Sequence, residues 1–141
     1  TFLDADDFHS EEAKAWMGSG QPLTDAMRLP WVERLADELR RRVAAGERVT
    51  LAFSGLRRAH RQRLRDTGLA MRFVFLHGTA AVIGARMQAR RGHYMPASLL
   101  DSQFQALESP EGEDDVVVVP VDLAPPVQVR RALAALGDAT T

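Results

Sequence analysis

The stretch VTLAFSGLRRAH, residues 49–60, sets the fold class of this chain. It begins with a short apolar run, Val49 to Phe53, of the kind found in strands that are buried on both faces. The turn Ser54-Gly55-Leu56 follows, and a basic helix is predicted from Arg58 to Asp66. A strand that passes through a short turn into a helix is the repeating element of a parallel α/β sheet.

The same alternation continues on both sides of this stretch. Further strands are predicted at Thr1 to Leu3, Arg72 to Leu76 and Val116 to Val121. Further helices are predicted from Ser10 to about Met17, from Pro30 to Gly46, from Thr79 to about Arg90, from about Ala97 to Leu107, and from Pro126 to Leu136. In the second of these helices an apolar stripe recurs at helical spacing and is predicted to be core; it comprises Trp31, Leu35, Leu39 and Val43.

Composition limits the class of protein. A chain of 141 residues is long enough for one domain with a sheet and several helices. The formal net charge of -1 implies neither a polyanionic partner nor a membrane surface. The absence of cysteine excludes disulfides and thiolate metal sites and fits a reducing compartment. No apolar run approaches the roughly 18 residues of a membrane-spanning helix. We therefore predict a cytoplasmic protein with no membrane partner.

Polar residues follow three of the predicted strands. Asp4 and Asp6 follow the first strand, Ser54-Gly55-Leu56 the second, and His77-Gly78 the third. Ligands of parallel α/β sheets bind at the carboxyl ends of the strands. We expect these loops to converge on one crevice.

Four segments, in this order and spacing, resemble the gluconate kinases of the P-loop kinase superfamily. They are LDADDFH at 3–9, MGSGQPLTDAMRLPW at 17–31, FSGLRRAHRQRLR at 53–65 and RMQARRGHYMPASLLDSQFQALESP at 86–110. The corresponding family patterns are approximately LDGDxxH, KMxxGxPLxDxDRxPWL, CSALKxxYRxxLR and RxxxRxxHFMxxxLLxSQFxxLExP. Any one of these segments alone is a weak signal, but four in order are specific.

The resemblance implies a three-layer α/β/α parallel sheet of the P-loop kinase type. Residues 1–141 are expected to form a single kinase-like domain with a helical lid at about residues 86–112. The implied reaction is transfer of the γ-phosphoryl group of ATP to the 6-hydroxyl of D-gluconate, giving 6-phosphogluconate. ATP and Mg²⁺ are the implied cofactors, and the implied assembly is a homodimer.

The resemblance also assigns roles to individual residues. Asp4 is expected near the magnesium ion, and Asp6 is expected to accept a hydrogen bond from a substrate hydroxyl as catalytic base. Arg28 is expected to bind the carboxylate of the substrate, since a guanidinium fork suits such a group. The remaining expected substrate contacts are His9, Ser54, Gly55, Arg57, Arg61, His93 and Gln103. The expected contacts to the ATP phosphates are Arg86 and Arg90.

The chain departs from the family patterns around the sugar-acid pocket. Ala5, Ala13, Trp16 and Met27 stand where the family has a glycine, an asparagine, a lysine and an aspartate. A kinase of another small polar acceptor is therefore one alternative function.

The chain also contains no G-x-x-x-x-G-K-[ST] phosphate loop. The resemblance places that loop about 30 residues before Asp4, together with a central first strand. We therefore expect the chain to be a fragment that lacks both. The alternative is a catalytically inactive descendant that acts as a binding or interaction module.

Simpler interpretations stay open for several residues. Arg28 could pair with Asp25 on the surface. The basic run from Arg57 to Arg65 is more typical of a solvated helix face than of a nucleic-acid site, because no aromatic platform accompanies it. His60 and His77 lack metal-ligand spacing and are interpreted as structural.

Overall fold

The computed structural model describes residues 1–89 and 97–138, which fall into two compact units. The first unit comprises Thr1–Leu69 and Gln105–Glu108. The second comprises Ala70–Phe104 and the described residues from Ser109 onward. Each unit contains its own two-stranded parallel sheet.

In the first unit, strand β1 (Phe2–Asp4) pairs in parallel with strand β2 (Thr50–Ala52). The register places Asp4 beside Ala52, so both strands end at the same edge of the sheet. The elements between and after the strands are a 3-10 turn at Ala5–Phe8, helix α1 at Glu11–Gly18, helix α2 at Asp25–Ala44 and helix α3 at Arg58–Arg65.

Hydroxyl side chains cap the N-termini of the first two helices. The Ser10 hydroxyl accepts a hydrogen bond from the Ala13 amide at 3.0 Å, and the Thr24 hydroxyl accepts one from the Met27 amide at 3.1 Å. The expectation that the second helix begins at Pro30 was therefore wrong. Thr24 supplies the cap, so the helix begins five residues earlier, at Asp25.

The core of the first unit lies along the inner face of α2. Trp31, Leu35 and Leu39 are buried as predicted, and Leu64 of α3 is buried as well. Val43, the last predicted member of the stripe, is exposed.

The second unit is built on strands β3 (Phe73–His77) and β4 (Val116–Pro120), with Val119 in its core. Its helices are α4 at Ala80–Ala89, α5 at Ala97–Ala106 and α6 at Pro125–Asp138; the last two residues of α5 belong to the first unit. Gly78, directly after β3, requires the smallest side chain. A Cβ atom there would lie 2.1 Å from Cγ1 of Val121.

The predicted parallel pairing is confirmed in both sheets. The prediction that the strand at Val49 to Phe53 is buried on both faces was wrong. Thr50 and Ala52 are exposed, and among the described residues β2 pairs only with β1, so its other edge is unpaired. Within the described ranges, 1–89 and 97–138, no helix has the length and apolar character needed to cross a membrane.

Candidate functional site

The end of β1 presents a cluster of carboxylates, which we call the acidic turn (Asp4–Phe8). Asp4 closes the strand, and its Oδ1 accepts a hydrogen bond from the Asp6 amide at 3.0 Å. This bond caps the 3-10 turn and fixes one oxygen of Asp4. The side chain of Asp6 is 79% exposed, so its carboxylate is available to a ligand.

Helix α2 holds the acidic turn in place. The indole N–H of Trp31 donates to the Ala5 carbonyl at 2.7 Å, and Nε of Arg34 donates to the Phe8 carbonyl at 2.7 Å. Both bonds join residues far apart in the sequence. The turn is therefore positioned by the helix as well as by its own cap.

His9 lies behind the acidic turn. Its ring stacks on Trp31 with centroids 4.3 Å apart, and its side chain is 3% exposed. Nε2 lies 3.5 Å from Oδ1 of Asp6, while the buried Nδ1 has no hydrogen-bond partner among the described residues. The structure thus directs His9 toward Asp6, and its contact with a polyol stays a prediction.

A second group of charged side chains, which we call the cationic cluster (Asp25, Arg28, Arg57 and His60), joins α2 to the start of α3. Oδ1 of Asp25 is 3.3 Å from Nη1 of Arg28 and 3.3 Å from Nε of Arg57. The alternative in which Arg28 pairs with Asp25 is therefore confirmed. The side chain of Arg28 is only 10% exposed, however, so this pair is not a surface one.

The electrostatics of this cluster favour an anion. Burial lowers the pKa of Arg28, an effect that Asp25 opposes, and an arginine keeps its charge in either case. Burial also lowers the pKa of His60, and the positive charges of Arg28 and Arg57 add to that effect. His60 is thus neutral near pH 7. Two guanidinium groups share one carboxylate, which leaves an excess of one positive charge.

The loop Ser54–Arg57 follows β2. We call it the acceptor loop because the family resemblance predicts that it contacts the substrate that accepts the phosphoryl group. Gly55 adopts the left-handed conformation with φ of +52°, and a Cβ atom there would lie 3.1 Å from the Phe53 ring. The Gly55 carbonyl accepts a hydrogen bond from Nη1 of Arg61, whose Nη2 donates to the Glu108 carbonyl at 2.9 Å. Arg61 is 2% exposed. The structure therefore uses the Arg61 guanidinium, predicted as a substrate contact, to hold backbone carbonyls.

The other predicted site residues lie outside the acidic turn and the cationic cluster. Arg86 and Gln103 belong to the second unit, where Nη2 of Arg86 donates to the Leu123 carbonyl at 2.9 Å and Gln103 is half-buried. Arg90 and His93 lie outside the described residues. Ser54 is exposed at the start of the acceptor loop.

The basic helix α3 is largely engaged within its own unit. Arg63 forms two hydrogen bonds to the Glu33 carboxylate, at 2.5 and 2.7 Å. Together with the contacts of Arg57 and Arg61, these bonds account for three of the five arginines that suggested a nucleic-acid surface.

Sequence reasoning missed two members of the cationic cluster as functional candidates. Asp25 was considered only as a surface partner of Arg28, and His60 only as a structural residue. The available signal was the spacing, since Asp25 and Arg28, like Arg57 and His60, lie three residues apart on one helix face.

A metal ion would have few protein ligands in the described part of the chain. Across 1–89 and 97–138, no group of three or more histidine, cysteine, aspartate or glutamate side chains is placed to hold an ion. This arrangement still fits Mg²⁺, which is commonly bound by one or two carboxylates together with substrate phosphates and water. Asp4 offers a carboxylate of this kind, and its role as a magnesium ligand stays a prediction.

Comparison with known proteins places these features in a family. No protein-family model matches the chain. The chain is 41% identical over 145 residues to a gluconokinase of Arabidopsis thaliana, an alignment that covers 94% of this chain and 76% of that protein. It is 40% identical over 117 residues to the thermosensitive gluconokinase of Escherichia coli K12, covering 83% of this chain and 63% of that protein.

Solved structures give the same result. The crystal structure of a gluconokinase from Sinorhizobium meliloti 1021 matches with a TM-score of 0.87 and 40% identity, over 98% of this chain and 77% of that one. An unliganded sugar kinase from Janibacter sp. HTCC2649 matches with a TM-score of 0.84 and 40% identity, over 96% of this chain and 79% of that one. These likenesses confirm the predicted α/β fold of the P-loop kinase type. On this evidence the chain belongs to the gluconokinase family of phosphotransferases.

Proposed function

We propose that the protein transfers the γ-phosphoryl group of ATP to the 6-hydroxyl of D-gluconate. The observation that carries this proposal is the cationic cluster. Two arginines from different elements converge on one carboxylate, in the same unit as the exposed carboxylate of Asp6. A small molecule with an acid group at one end and a hydroxyl at the other is the kind of ligand that such a pair of sites can hold.

The carboxylate of gluconate would bind at Arg28 and Arg57. A guanidinium group offers several N–H donors in a planar fork, and each arginine directs one nitrogen at Asp25, Arg28 its Nη1 and Arg57 its Nε. Asp25 is 61% exposed and can shift to admit a second carboxylate. The low exposure of Arg28 strengthens its attraction for an anion, because a buried charge is poorly screened by water.

The acidic turn would act on the hydroxyl. Asp6 would accept the proton of the attacking hydroxyl as general base. Asp4 would contribute one oxygen to Mg²⁺, which supplies charge neutralisation of the phosphates when it is bound. Because phosphoryl transfer depends mainly on positioning and electrostatic stabilisation, the rigid attachment of this turn to α2 matters as much as its charge.

The nucleotide would be contacted by Arg86, and by Arg90 from outside the described residues. Contacts of His93 and Gln103 with the acceptor stay predictions of the family patterns. Use of ATP follows from membership of a kinase family, whereas the particular contacts are proposals.

The first experiment measures ADP formation with ATP and Mg²⁺ against D-gluconate, a panel of other sugar acids, and neutral sugars. We expect turnover with gluconate and little with neutral sugars, because the latter lack the carboxylate that the cationic cluster binds. Turnover that prefers a neutral sugar would contradict this role. Absence of turnover, accompanied by binding of gluconate, would show that this chain binds the acceptor without transferring phosphate to it.

The second experiment compares Arg28→Lys with Arg40→Lys. Both arginines lie on α2 and both pair with an aspartate three residues earlier, Arg40 with Asp37 at 3.7 Å. We expect Arg28→Lys to raise KM for gluconate about tenfold or more, since a lysine cannot reproduce the two-pronged contact. Arg40→Lys serves as the matched control and should leave KM unchanged. Equal effects of the two substitutions would remove Arg28 from the acceptor site.

A different small acid acceptor is the second candidate, and Trp16 is the reason. It occupies the position where the family patterns have a lysine, and its indole N–H donates to the Pro22 carbonyl at 2.9 Å. Helix α1 therefore offers no ammonium group at this position. A higher kcat/KM for another acid of the panel than for gluconate would support this candidate.

A further inference from the structure

We propose that Glu108 and Arg61 are positioning residues that form a clasp on the acceptor loop and thereby set the affinity for the acid acceptor. The inference rests on the proposed function for its consequence in catalysis. Its structural basis is independent, because it depends only on hydrogen bonds within the first unit.

Glu108 forms hydrogen bonds at the start of α3 with both its backbone and its side chain. Its amide donates to the Leu56 carbonyl at 2.7 Å, and its carboxylate Oε1 accepts a hydrogen bond from the Arg58 amide at 3.0 Å. The N-cap residue of α3, Arg57, makes no side-chain capping bond of its own. Glu108 therefore supplies the cap for this helix from a distant part of the chain.

Arg61 completes the clasp from the other side. Its guanidinium bridges the carbonyl groups of Gly55 and Glu108. Burying a guanidinium group costs free energy unless its N–H donors form hydrogen bonds. Arg61 is 2% exposed and donates to two carbonyl groups, so its side chain is a structural part of the loop. The left-handed conformation of Gly55 belongs to the same arrangement.

The clasp, formed by Glu108 and Arg61, restrains the backbone on either side of Arg57. The two backbone groups that flank Arg57, the Leu56 carbonyl and the Arg58 amide, are both bonded to Glu108. The side chain of Arg57 reaches Asp25 from this fixed point. If these hydrogen bonds are removed, Arg57 becomes more mobile in the free protein and has to be ordered when the acid binds. The conformational entropy lost in ordering Arg57 then makes the binding free energy less favourable. Affinity for the acceptor should fall, while affinity for ATP should not.

The test compares Glu108→Ala and Glu108→Gln in the full chain. The alanine removes the oxygen that accepts from the Arg58 amide, whereas the glutamine keeps an acceptor oxygen at the same place. We expect Glu108→Ala to raise KM for gluconate about three- to tenfold, the range that corresponds to one lost hydrogen bond. KM for ATP should stay within about twofold, and Glu108→Gln should restore most of the affinity.

Glu33→Ala is the matched control. Glu33 is also a carboxylate that bonds α3, but its hydrogen bonds go to Arg63, which lies outside both the acceptor loop and the cationic cluster. It should leave both KM values unchanged. The proposal is overturned if Glu108→Ala raises both KM values equally, if it changes neither, or if Glu108→Gln behaves like the alanine variant.

Amide hydrogen exchange separates the clasp from the proposed function. In the absence of substrate, the Arg58 amide should exchange slowly in the wild-type chain and at least about tenfold faster in Glu108→Ala, because its acceptor is gone. If the wild-type chain does not phosphorylate gluconate, the proposed function fails and the exchange rate still decides whether the clasp exists. An unchanged exchange rate at Arg58 overturns the clasp.

Discussion

At the scale of single residues, the three carboxylates of the acidic turn differ by what surrounds them. Asp4 has one oxygen bonded to the Asp6 amide, which suits a group that holds a metal ion at a fixed place. Asp6 is exposed and lies beside His9. Asp7 is exposed, and its side chain takes part in neither of these contacts. Three carboxylates of identical chemistry within one turn thus have different surroundings, and this difference is the basis of the separate roles proposed for Asp4 and Asp6.

Substitution of Asp6 by alanine tests this division. We expect Asp6→Ala to lower kcat at least about 100-fold, the usual contribution of a general base, while the fold is kept because the side chain is exposed. Steady-state kinetics and thermal unfolding provide the two measurements. Asp7→Ala removes a neighbouring exposed carboxylate and should change kcat little. Unchanged turnover in Asp6→Ala would exclude its role as base.

His60 gives a prediction for the pH dependence of stability. Burial lowers the pKa of His60 below 6.5, with the charges of Arg28 and Arg57 acting in the same direction and those of Asp25 and Glu108 against it. Below about pH 6.5 the unfolded chain therefore binds more protons than the folded chain at this position. The free energy of unfolding should fall as the pH is lowered through this range.

The measurement is urea unfolding at several pH values between about 7 and 5. In His60→Gln the imidazole is absent, so the slope of unfolding free energy against pH should be smaller than in the wild-type chain. Parallel slopes in the two proteins would show that His60 does not titrate differently on folding.

The residues of the site were predictable to the extent that motifs carry them. Asp4, Asp6 and Arg28 follow from the ordered segments. The bridging role of Asp25 and the use of Arg61 on backbone carbonyls were not predictable, because both depend on how α2, α3 and residue 108 pack. Spacing along the chain indicates which residues share a helix face. It does not indicate which residues of another element will contact them.

At the scale of elements, helix α2 organises the first unit. It buries Trp31 and Leu35, and it donates two side-chain hydrogen bonds to the acidic turn. Its apolar stripe was readable from the sequence, since the period of 3.6 residues is a strong signal. Its start was misjudged because Pro30 is a familiar mark of the first helical turn, whereas the capping hydroxyl of Thr24 decided the boundary.

The attachment of the acidic turn to α2 is testable with the two tryptophans of the chain. Trp31 and Trp16 each donate an indole N–H to a backbone carbonyl, but Trp31 is 3% exposed and Trp16 is 38% exposed. Trp31→Phe leaves the buried Ala5 carbonyl without its donor and should lower the free energy of unfolding by about 1–3 kcal/mol. It should also lower kcat, because the turn that carries Asp6 is loosened.

Trp16→Phe is the control, with an expected change in unfolding free energy of less than about 1 kcal/mol, since water can replace an exposed donor. Urea unfolding and steady-state kinetics on both variants give the comparison. Equal losses of stability in Trp31→Phe and Trp16→Phe would show that burial of the Trp31 bond contributes nothing.

At the scale of the whole molecule, the structure assigns most of the described candidate acceptor residues to one unit. The acidic turn, the cationic cluster and the acceptor loop all belong to the first unit, as do both tryptophans. Arg86 and Gln103, predicted from the same motifs, belong to the second. The division into units was not readable from the sequence, because the segment at Gln105–Glu108 returns to the first unit from a distant position in the chain.

This assignment predicts that gluconate alone, without nucleotide, stabilises the first unit. A ligand that binds only the folded state adds RT ln(1 + [L]/Kd) to the free energy of unfolding, or about 2.7 kcal/mol at 100 times Kd. Because both tryptophans lie in the first unit, their fluorescence reports the unfolding of that unit. The midpoint of thermal unfolding followed by tryptophan fluorescence should therefore rise with gluconate concentration.

The rise should be weaker in Arg28→Lys and preserved in Arg40→Lys, since only the first of these substitutions changes the cationic cluster. A midpoint that rises with ATP and Mg²⁺ but not with saturating gluconate would mean that the first unit cannot bind the acceptor by itself.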